Sequence, residues 1–334
     1  MLRRVTNSRF MCKPARQAGD RLARLLPADI DPAMGRVAVA WSGGADSTSL
    51  LLALHAGGWD VAAWHVDHGW HEGSASQACL LRMWARQLGV PFFCQRLDTS
   101  PTSNREAHAR IARWRCFEGW AVSQGIRHLF LGHQADEQAE TVCLRLLQGA
   151  GVRGCRGMLR KRRMGRLIVY RPWLGVRKAV LVGILADHRV PWIEDVTNED
   201  LSLWRNRVRR RLFVGMRETG VDPIELFLRW GSVAERLFDC LHERVASVPL
   251  HRYAAGVSVA WSDWLAAAPP VRALLLQEMH RALFGPASTP GRRHIELVEH
   301  WTAQGGHGGL DLSRCRLERR KHRLHLSARV AMLR

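Results

Sequence analysis

Short apolar runs alternate with longer amphipathic stretches through residues 36–150. The runs RVAVAW, WDVAAWHV, VPFFCQRL and RHLFLGH predict four buried strands. The stretches between and after them predict four helices, over residues 46–57, 73–88, 104–124 and 135–148. Strand–helix alternation of this kind is typical of βαβ units. We therefore expect an α/β fold in which a twisted parallel sheet carries helices on both faces.

The pattern changes after residue 175. Residues 164–172 predict one more strand, and predicted helices follow over 177–189, 202–216, 222–247 and 262–284. The tail GLDLSRCRLERRKHRLHLS alternates apolar with charged residues and predicts a small β-hairpin. We expect three regions: a basic N-terminal extension with a helix over 1–34, the α/β domain over 35–216, and a mainly helical domain over 222–334.

The charge of the chain points to a polyanionic partner. Fifty Lys and Arg against 30 Asp and Glu leave a formal charge of +20. Residues 151–180 contain ten Lys or Arg and no acid, and 205–211 add five arginines. Charge that only solubilises a surface would mix both signs, so we favour contact with RNA.

The cysteines and the apolar runs limit the class of protein further. No two of the eight cysteines are spaced as Cys-x-x-Cys, which argues against a zinc ribbon, a cluster site or a disulfide framework. No apolar run reaches the roughly 18 residues of a membrane helix. We expect reduced thiols, no membrane partner and a cytoplasmic location.

The first predicted strand runs directly into Ser42-Gly43-Gly44-Ala45-Asp46-Ser47, and a leucine-rich helix follows. Glycines let a backbone approach an anion, and a helix N-terminus adds partial positive charge. Ser42 and Ser47 offer hydroxyl groups to phosphate oxygens. Asp46 would repel a phosphate unless a divalent cation lies between them. The loop therefore predicts a phosphate site with a metal ligand, and it lacks the patterns of P-loop NTPases and dinucleotide-binding folds.

Further candidate side chains end two other predicted strands. The second strand ends in Trp64-His65-Val66-Asp67-His68-Gly69, and the fourth ends in Leu131-Gly132-His133. Ligands bind at the carboxyl ends of the strands in an open parallel sheet. We therefore expect His65, Asp67 and His133 near the loop.

Two predicted helices bring charges to the same region. Glu106, Arg110 and Arg113 share one helix face, and they form either a solvated ladder or an anion contact. Asp136 and Glu140 lie one turn apart, so they either bind a cation or an amine or only favour the helix dipole.

These motifs resemble a known family. Ser-Gly-Gly-Ala-Asp-Ser after a first strand resembles the loop of the pyrophosphate-loop ATP pyrophosphatases, which cut ATP between its α and β phosphates. His-Val-Asp-His-Gly at 65–69 is similar to the signature of one branch, the tRNA(Ile)-lysidine synthetases, here in a shorter form. Similar runs lie at 104–114, 133–141, 171–174, 192–198 and 204–209. Trp114 and Glu137 depart from the family's tyrosine and aspartate.

The resemblance covers about residues 36–212 and implies an adenine nucleotide α-hydrolase-like fold with ATP and Mg²⁺. The nucleotide-binding residues would be Ser42, Gly43, Gly44, Ala45, Asp46, Ser47, His65 and Asp67, with Asp46 as the Mg²⁺ ligand. The catalytic residues would be Asp46, Arg113, His133, Asp136 and Glu140. Asp136 and Glu140 would hold the lysine amine and accept its proton.

The reaction implied is ligation of L-lysine to C2 of the wobble cytidine in an isoleucine tRNA with a CAU anticodon, through an adenylated tRNA. Residues 35–216 would then be the ATP-pyrophosphatase catalytic domain, residues 222–334 would bind tRNA, and the family commonly forms homodimers. Three alternatives remain. A tRNA cytidine thiolase would need paired cysteines, a synthetase of small metabolites would not need the basic stretch, and a non-catalytic RNA-binding module would not need Asp46.

Overall fold

The computed structural model describes residues 12–69, 73–97, 105–194, 204–285 and 288–329. The chain divides into two compact units. The first comprises Met1–Gln148 and Arg156–Gly231, and the second comprises Gly149–Cys155 and Ser232–Arg334. Most of the expected N-terminal extension, up to residue 11, lies outside the described residues.

Six strands form the sheet of the first unit. They are β1 (Val37–Ala40), β2 (Val61–Asp67), β3 (Phe92–Arg96), β4 (His128–Phe130), β5 (Lys161–Met164) and β6 (Leu167–Tyr170). Their order is β3-β2-β1-β4-β6-β5, and every pair is parallel except β5 with β6. The predicted α/β fold with a parallel sheet is confirmed. The antiparallel edge strand β5 was not predicted, because its sequence KRRM has almost no apolar residues to mark it.

Helices cover both faces of this sheet. The first five are α1 (Cys12–Ala23), α2 (Ala45–Ala56), α3 (Ser74–Leu88), α4 (Arg105–Gln124) and α5 (Ala135–Leu147). Val37 and Val39 pack in one core with Leu50 of α2, whereas Ala38 packs in a second core with Phe117 of α4. Successive strand residues point to opposite faces, so β1 is buried on both sides. This burial explains its uninterrupted apolar sequence.

The strand order places a crevice at the carboxyl edge of the sheet. β1 lies between β2 and β4, so the chain leaves β1 towards one side of the sheet and later returns on the other side. Ala40 is level with Trp64 of β2, and Phe130 of β4 is level with Tyr170 of β6. The segments that follow these four residues therefore meet at one edge, where open α/β sheets bind ligands.

The remaining helices up to residue 246 are α6 (Val152–Cys155), α7 (Lys178–Asp187), α8 (Trp204–Arg207), α9 (Phe213–Glu218) and α10 (Pro223–Ala246). The single helix predicted over 202–216 is instead α8, a π-helical turn over Val208–Leu212, and α9. Val208 and Phe213 pack against Ala139 and Cys143 of α5. The division expected between residues 216 and 222 does not coincide with the two units, because α10 runs through both of them.

The second unit contains an antiparallel sheet. Its strands are β7 (His251–Tyr253), β8 (Gly256–Ala260), β9 (Gly309–Leu312), β10 (Cys315–Arg320) and β11 (Arg323–Ala328), in the order β7-β8-β11-β10-β9. Its helices are α11 (Trp261–Ala266), α12 (Pro269–Phe284) and α13 (Arg292–Ala303). The predicted hairpin is β10–β11, but it belongs to a larger sheet in which Val257 pairs with Leu326. Such distant pairing has no local sequence signal.

Within the described part of the chain, no helix is both long enough and apolar enough to cross a membrane.

Candidate active site

The loop between β1 and α2 is braced by its own hydroxyl groups. Gly44 precedes α2 with an extended backbone, and Gly43 has a φ of 86°, a conformation that favours glycine. Ser42 Oγ lies 3.1 Å from Ser47 Oγ, which also lies within hydrogen-bond distance of the Gly44 carbonyl, at 3.1 Å. The first N–H groups of a helix have no intrahelical acceptor. The loop therefore presents free donors and a positive helix end to an anion.

Residues outside the loop hold it in place. Thr48 Oγ1 accepts a hydrogen bond from Trp41 Nε1 at 3.0 Å and donates one to the Gly43 carbonyl at 3.2 Å. The Ile193 N–H donates to the same carbonyl at 2.9 Å. The loop is thus fixed both from its own helix and from the segment after α7, which keeps its donors preorganised for a ligand.

Gly132 lets the end of β4 approach the loop. A Cβ at this position would lie 2.9 Å from the carbonyl carbon of Asp46 and 2.9 Å from the Ser47 nitrogen, so no larger residue fits without moving backbone. The sequence analysis missed this role, although a glycine at the end of a strand is a signal for close backbone approach.

The Asp46 carboxylate offers one oxygen to a ligand. Its Oδ1 is buried and has no hydrogen-bond partner among the residues that the structure describes. Burial raises the pKa of Asp46 above 3.8, the charge of Lys178 opposes this, and Asp136 adds to it. A buried, unpartnered carboxylate oxygen beside a second carboxylate fits a hard cation. No cluster of three His, Cys, Asp or Glu ligands occurs among the described residues, so a Mg²⁺ held by Asp46 would need further ligands from phosphate and water.

The predicted residues at the end of β2 are engaged by the protein itself. His65 is 8% exposed, and its Nδ1 donates to the Trp41 carbonyl at 2.9 Å. Burial lowers the pKa of His65 below 6.5, which favours the neutral ring, whose Nε2 accepts hydrogen bonds. Asp67 Oδ1 accepts from the Gly69 N–H at 2.8 Å, and Oδ2 lies 4.0 Å from Arg96 Nε. Both side chains shape this edge of the sheet, and their role in binding the nucleotide stays a prediction.

His133 lies among cations at the end of β4. Its Nδ1 is buried and has no partner among the described residues. Burial, together with the charges of Arg171, Arg205 and Arg113, lowers the pKa of His133 to about 3. The ring is therefore neutral at physiological pH and can hydrogen-bond a ligand without adding charge. The charge of Arg113 therefore acts on His133, and the catalytic role of both residues stays a prediction.

Helix α5 begins with a side-chain cap that orients its acids. Gln134 Oε1 accepts from the Asp136 N–H at 2.5 Å and from the Glu137 N–H at 3.2 Å. Asp136 Oδ2 accepts from the Lys178 N–H at 2.9 Å. Asp136 therefore joins the start of α7 to the site and lies close enough to Asp46 to raise its pKa.

Glu140 is neutralised by arginines rather than free to hold an amine. It is 1% exposed, and Arg209 donates to it from Nε at 2.6 Å and from Nη2 at 3.2 Å. Arg205 Nε lies 3.6 Å from Glu140 Oε2. This two-pronged ion pair anchors α8 and the π-helical turn on α5. Sequence reasoning missed both arginines, although the acid-free run at 205–211 was a signal for them.

Glu137 has the carboxyl group best suited to exchange protons. Burial raises the pKa of Glu137 to about 7, with Arg205 opposing this and the charges of Asp46 and Glu140 adding to it. A carboxyl group that titrates near neutral pH is typical of a general acid or base. The residue departs from the pattern of the family that the sequence resembles, and the sequence analysis gave it no role.

Two groups of predicted residues cannot be placed. The side chain of Glu106 and the segment 195–203 lie outside the described residues. Of the three charged residues predicted on one face of α4, the structure therefore describes the side chains of Arg110 and Arg113.

A strand, a glycine–serine loop and a buried aspartate at the start of the following helix define a class of nucleotide-binding protein. A family model described as a PP-loop domain, ATP_bind_3, matches residues 16–215. The chain belongs to this family of ATP-binding domains.

The chain is also similar to individual curated proteins. A tRNA(Ile)-lysidine synthase from Chlamydia caviae is 34% identical over 182 residues, which are 54% of this chain and 57% of the relative. A protein of the same name from Pseudomonas aeruginosa is 32% identical over 232 residues, which are 68% of this chain and 52% of the relative. The chain thus spans little more than half the length of these curated relatives.

A solved structure supports the fold. The U34-tRNA thiolase NcsA from Methanococcus maripaludis, which carries a 4Fe-4S cluster, superposes with a TM-score of 0.53 at 13% identity. The match covers 68% of this chain and 80% of that chain. At this identity the likeness concerns the fold alone.

Proposed function

We propose that this chain ligates L-lysine to C2 of the wobble cytidine in an isoleucine tRNA with a CAU anticodon, in the cytoplasm and with ATP. The observation that carries the proposal is the buried Asp46 Oδ1, which has no hydrogen-bond partner among the described residues, at the N-terminus of α2. This arrangement suits a metal-bound polyphosphate and is costly without one. The names of the relatives support lysine and tRNA as the other substrates.

The first half-reaction uses the loop. ATP supplies an adenylyl group to the C2 oxygen of cytidine, and pyrophosphate leaves. The N–H groups at the start of α2, with Ser42 and Ser47, bind the pyrophosphate and stabilise the charge that develops on it. Asp46 would hold Mg²⁺, which neutralises charge between phosphate and carboxylate. Arg113, beside the neutral His133, brings positive charge to the activated base.

The second half-reaction needs a neutral lysine amine. Free lysine carries an ammonium group at neutral pH, so a base must take its proton before the amine can attack C2, where the C2–O bond breaks and AMP leaves. Glu137 suits this task because its pKa is about 7. Asp136 adds negative charge beside it. We assign the proton to Glu137 rather than to Glu140, because Arg209 already neutralises Glu140.

The thiolase alternative has weaker support. The solved thiolase shares the fold at 13% identity, which carries no argument about chemistry. The seven cysteines that the structure describes are free thiols, and no two cysteines in the sequence are spaced as Cys-x-x-Cys.

The direct test supplies the full chain with a CAU-anticodon tRNA transcript, ATP, Mg²⁺ and labelled lysine. We expect pyrophosphate release that depends on the tRNA and label that becomes covalently attached to it. A transcript with guanosine at the wobble position is the control and should accept none. Pyrophosphate release without lysine incorporation, under any choice of isoleucine tRNA, would exclude the ligase.

A variant can separate the two half-reactions. Glu137→Gln keeps the size of the side chain but cannot accept a proton. It should still release pyrophosphate with tRNA, while lysine incorporation becomes slow and no longer depends on pH near 7. Asp46→Asn should fail at pyrophosphate release itself. Equal loss of both steps in Glu137→Gln would place Glu137 in the ATP site instead.

A further inference from the structure

Arg171 is a buried cation that forms no ion pair with any residue the structure describes. It directly follows β6 and is 8% exposed. Its Nη1 donates to the Leu159 carbonyl at 2.9 Å, but its buried Nε has no hydrogen-bond partner in the described part of the chain. Removing a guanidinium from water without a paired anion costs several kcal/mol. A bound anion would therefore stabilise the Arg171 guanidinium, and no described residue supplies one.

The neighbours of Arg171 are other cations. Burial, together with the charges of Arg162 and Arg110, lowers the pKa of Arg171 to about 10. Neither Arg110 nor Arg162 forms an ion pair with a described residue. Some arginines of the chain have a carboxylate partner, as Arg177 with Asp222 and Arg272 with Glu299. No described carboxylate forms such a pair with Arg171, Arg110 or Arg162, and Arg171 differs from an exposed arginine because it is buried.

The strand register explains why these arginines converge. Arg162 of β5 is level with Val169 of β6, and Val169 and Arg171 are two residues apart, so they share one face of the sheet. Leu167, on the same face, packs in one core with Phe117 of α4. Arg110 lies on that same helix α4. The three arginines therefore occupy the α4 side of the carboxyl edge, beside His133, whose pKa Arg171 and Arg110 lower.

This cluster is separate from the loop that receives pyrophosphate. The loop follows β1, whereas Arg171 follows β6, and β4 lies between these strands. Two strand spacings put the cluster about 10 Å from the loop across the sheet. On the other side the cluster continues into the exposed basic edge strand β5.

We propose that Arg171, Arg162 and Arg110 form a phosphodiester subsite that binds the backbone of the RNA strand next to the target base. The inference rests on the proposed function in taking RNA as the substrate. Arginine suits this ligand because its planar fork matches two phosphate oxygens. The RNA strand then passes from the edge strand β5 over the three arginines to the end of β4, and the phosphate supplies the charge that Arg171 lacks.

The experiment compares three single Arg→Gln variants in the β5–β6 hairpin. Arg171→Gln and Arg162→Gln are the test variants. Arg166→Gln is the matched control, because it removes the same charge from the turn at the opposite end of β5 and β6. Binding of a CAU anticodon stem-loop RNA to the full chain is measured over a range of KCl concentrations. Binding of ATP with Mg²⁺ is measured separately, without RNA.

We expect the slope of log affinity against log salt to fall by about 0.7–0.9 for each phosphate that the variant no longer binds. Both test variants should show this decrease, and Arg166→Gln should show less of it. ATP binding should not change. The melting temperature of Arg171→Gln should not fall, because the variant removes an uncompensated buried charge.

Two results would overturn the inference. Weaker ATP binding with unchanged RNA binding would assign the cluster to the polyphosphate of ATP. Unchanged binding of both ligands would make the arginines structural. If Arg171→Gln does not fold, the exposed Arg162 still decides the question. These binding results do not depend on which nucleoside the enzyme makes, so a failed lysine assay leaves the test intact.

Discussion

Removing charge from Glu137 and from Glu140 should change stability in opposite directions, although both residues lie on helix α5. Glu140 is 1% exposed and accepts a hydrogen bond from Arg209 at 2.6 Å. Removing one partner of a buried ion pair costs about 3–5 kcal/mol. Because the Arg209 side chain is 35% exposed and can regain water, we expect Glu140→Gln to lower the free energy of unfolding by about 2 kcal/mol.

Glu137→Gln should instead gain stability at neutral and alkaline pH. The pKa of Glu137 is raised from 4.5 to about 7 in the folded chain. The folded state therefore binds more protons than the unfolded state between these values, and the free energy of unfolding decreases as pH rises through this window. At 1.36 kcal/mol for each pKa unit, the decrease at pH 8 is about 3 kcal/mol as an upper limit. Glutamine does not titrate, so the variant avoids this decrease.

Urea unfolding of the full chain at pH 8 and pH 5.5 measures whether each variant is more or less stable than the unsubstituted chain. EDTA is present and ATP is absent, because a cation at Asp46 would itself lower the pKa of Glu137. We expect Glu137→Gln to be more stable than the unsubstituted chain at pH 8, with the gain falling to less than half at pH 5.5. Glu140→Gln should be less stable at both. The reasoning fails if the two variants are destabilised alike, or if the gain does not depend on pH.

Three further outcomes can be measured. Asp46→Asn should keep the fold and slow pyrophosphate release about a hundredfold or more, and near-normal turnover at saturating Mg²⁺ would show that Asp46 holds no cation. Replacing residues 160–163 with alanine should flatten the salt dependence of tRNA binding by about 0.7–0.9 for each phosphate that is no longer bound, whereas an unchanged slope assigns this charge to solubility. Gly132→Ala places a Cβ 2.9 Å from the backbone of Asp46 and should cost about 1–3 kcal/mol of stability and weaken ATP binding, as read from a melting curve and a nucleotide titration. A variant with normal ATP affinity would mean that the two backbones can separate freely.

The features that the sequence determined by itself are those with local physical causes. Residues 42–47 indicate a phosphate site because glycines, hydroxyl groups and a helix start act within a few residues of one another. The strands β1 and β2 were predictable because burial on both faces favours a nearly continuous apolar run. The expectation that His133 lies near the loop came from the rule that parallel strands end at one edge of the sheet.

Only the tertiary structure decided how the charges in the site are used. Glu140 and Arg209 are 69 residues apart in sequence, and nothing local shows that one neutralises the other. The raised pKa of Glu137 depends on its burial and on the charges of Arg205 and Asp46, which the fold brings from other elements. The sheet of the second unit was missed for the same reason, because β8 pairs with a strand from the far end of the chain. Burial and long-range Coulomb interactions belong to the folded arrangement, so a linear pattern can nominate acids and bases but cannot assign their partners.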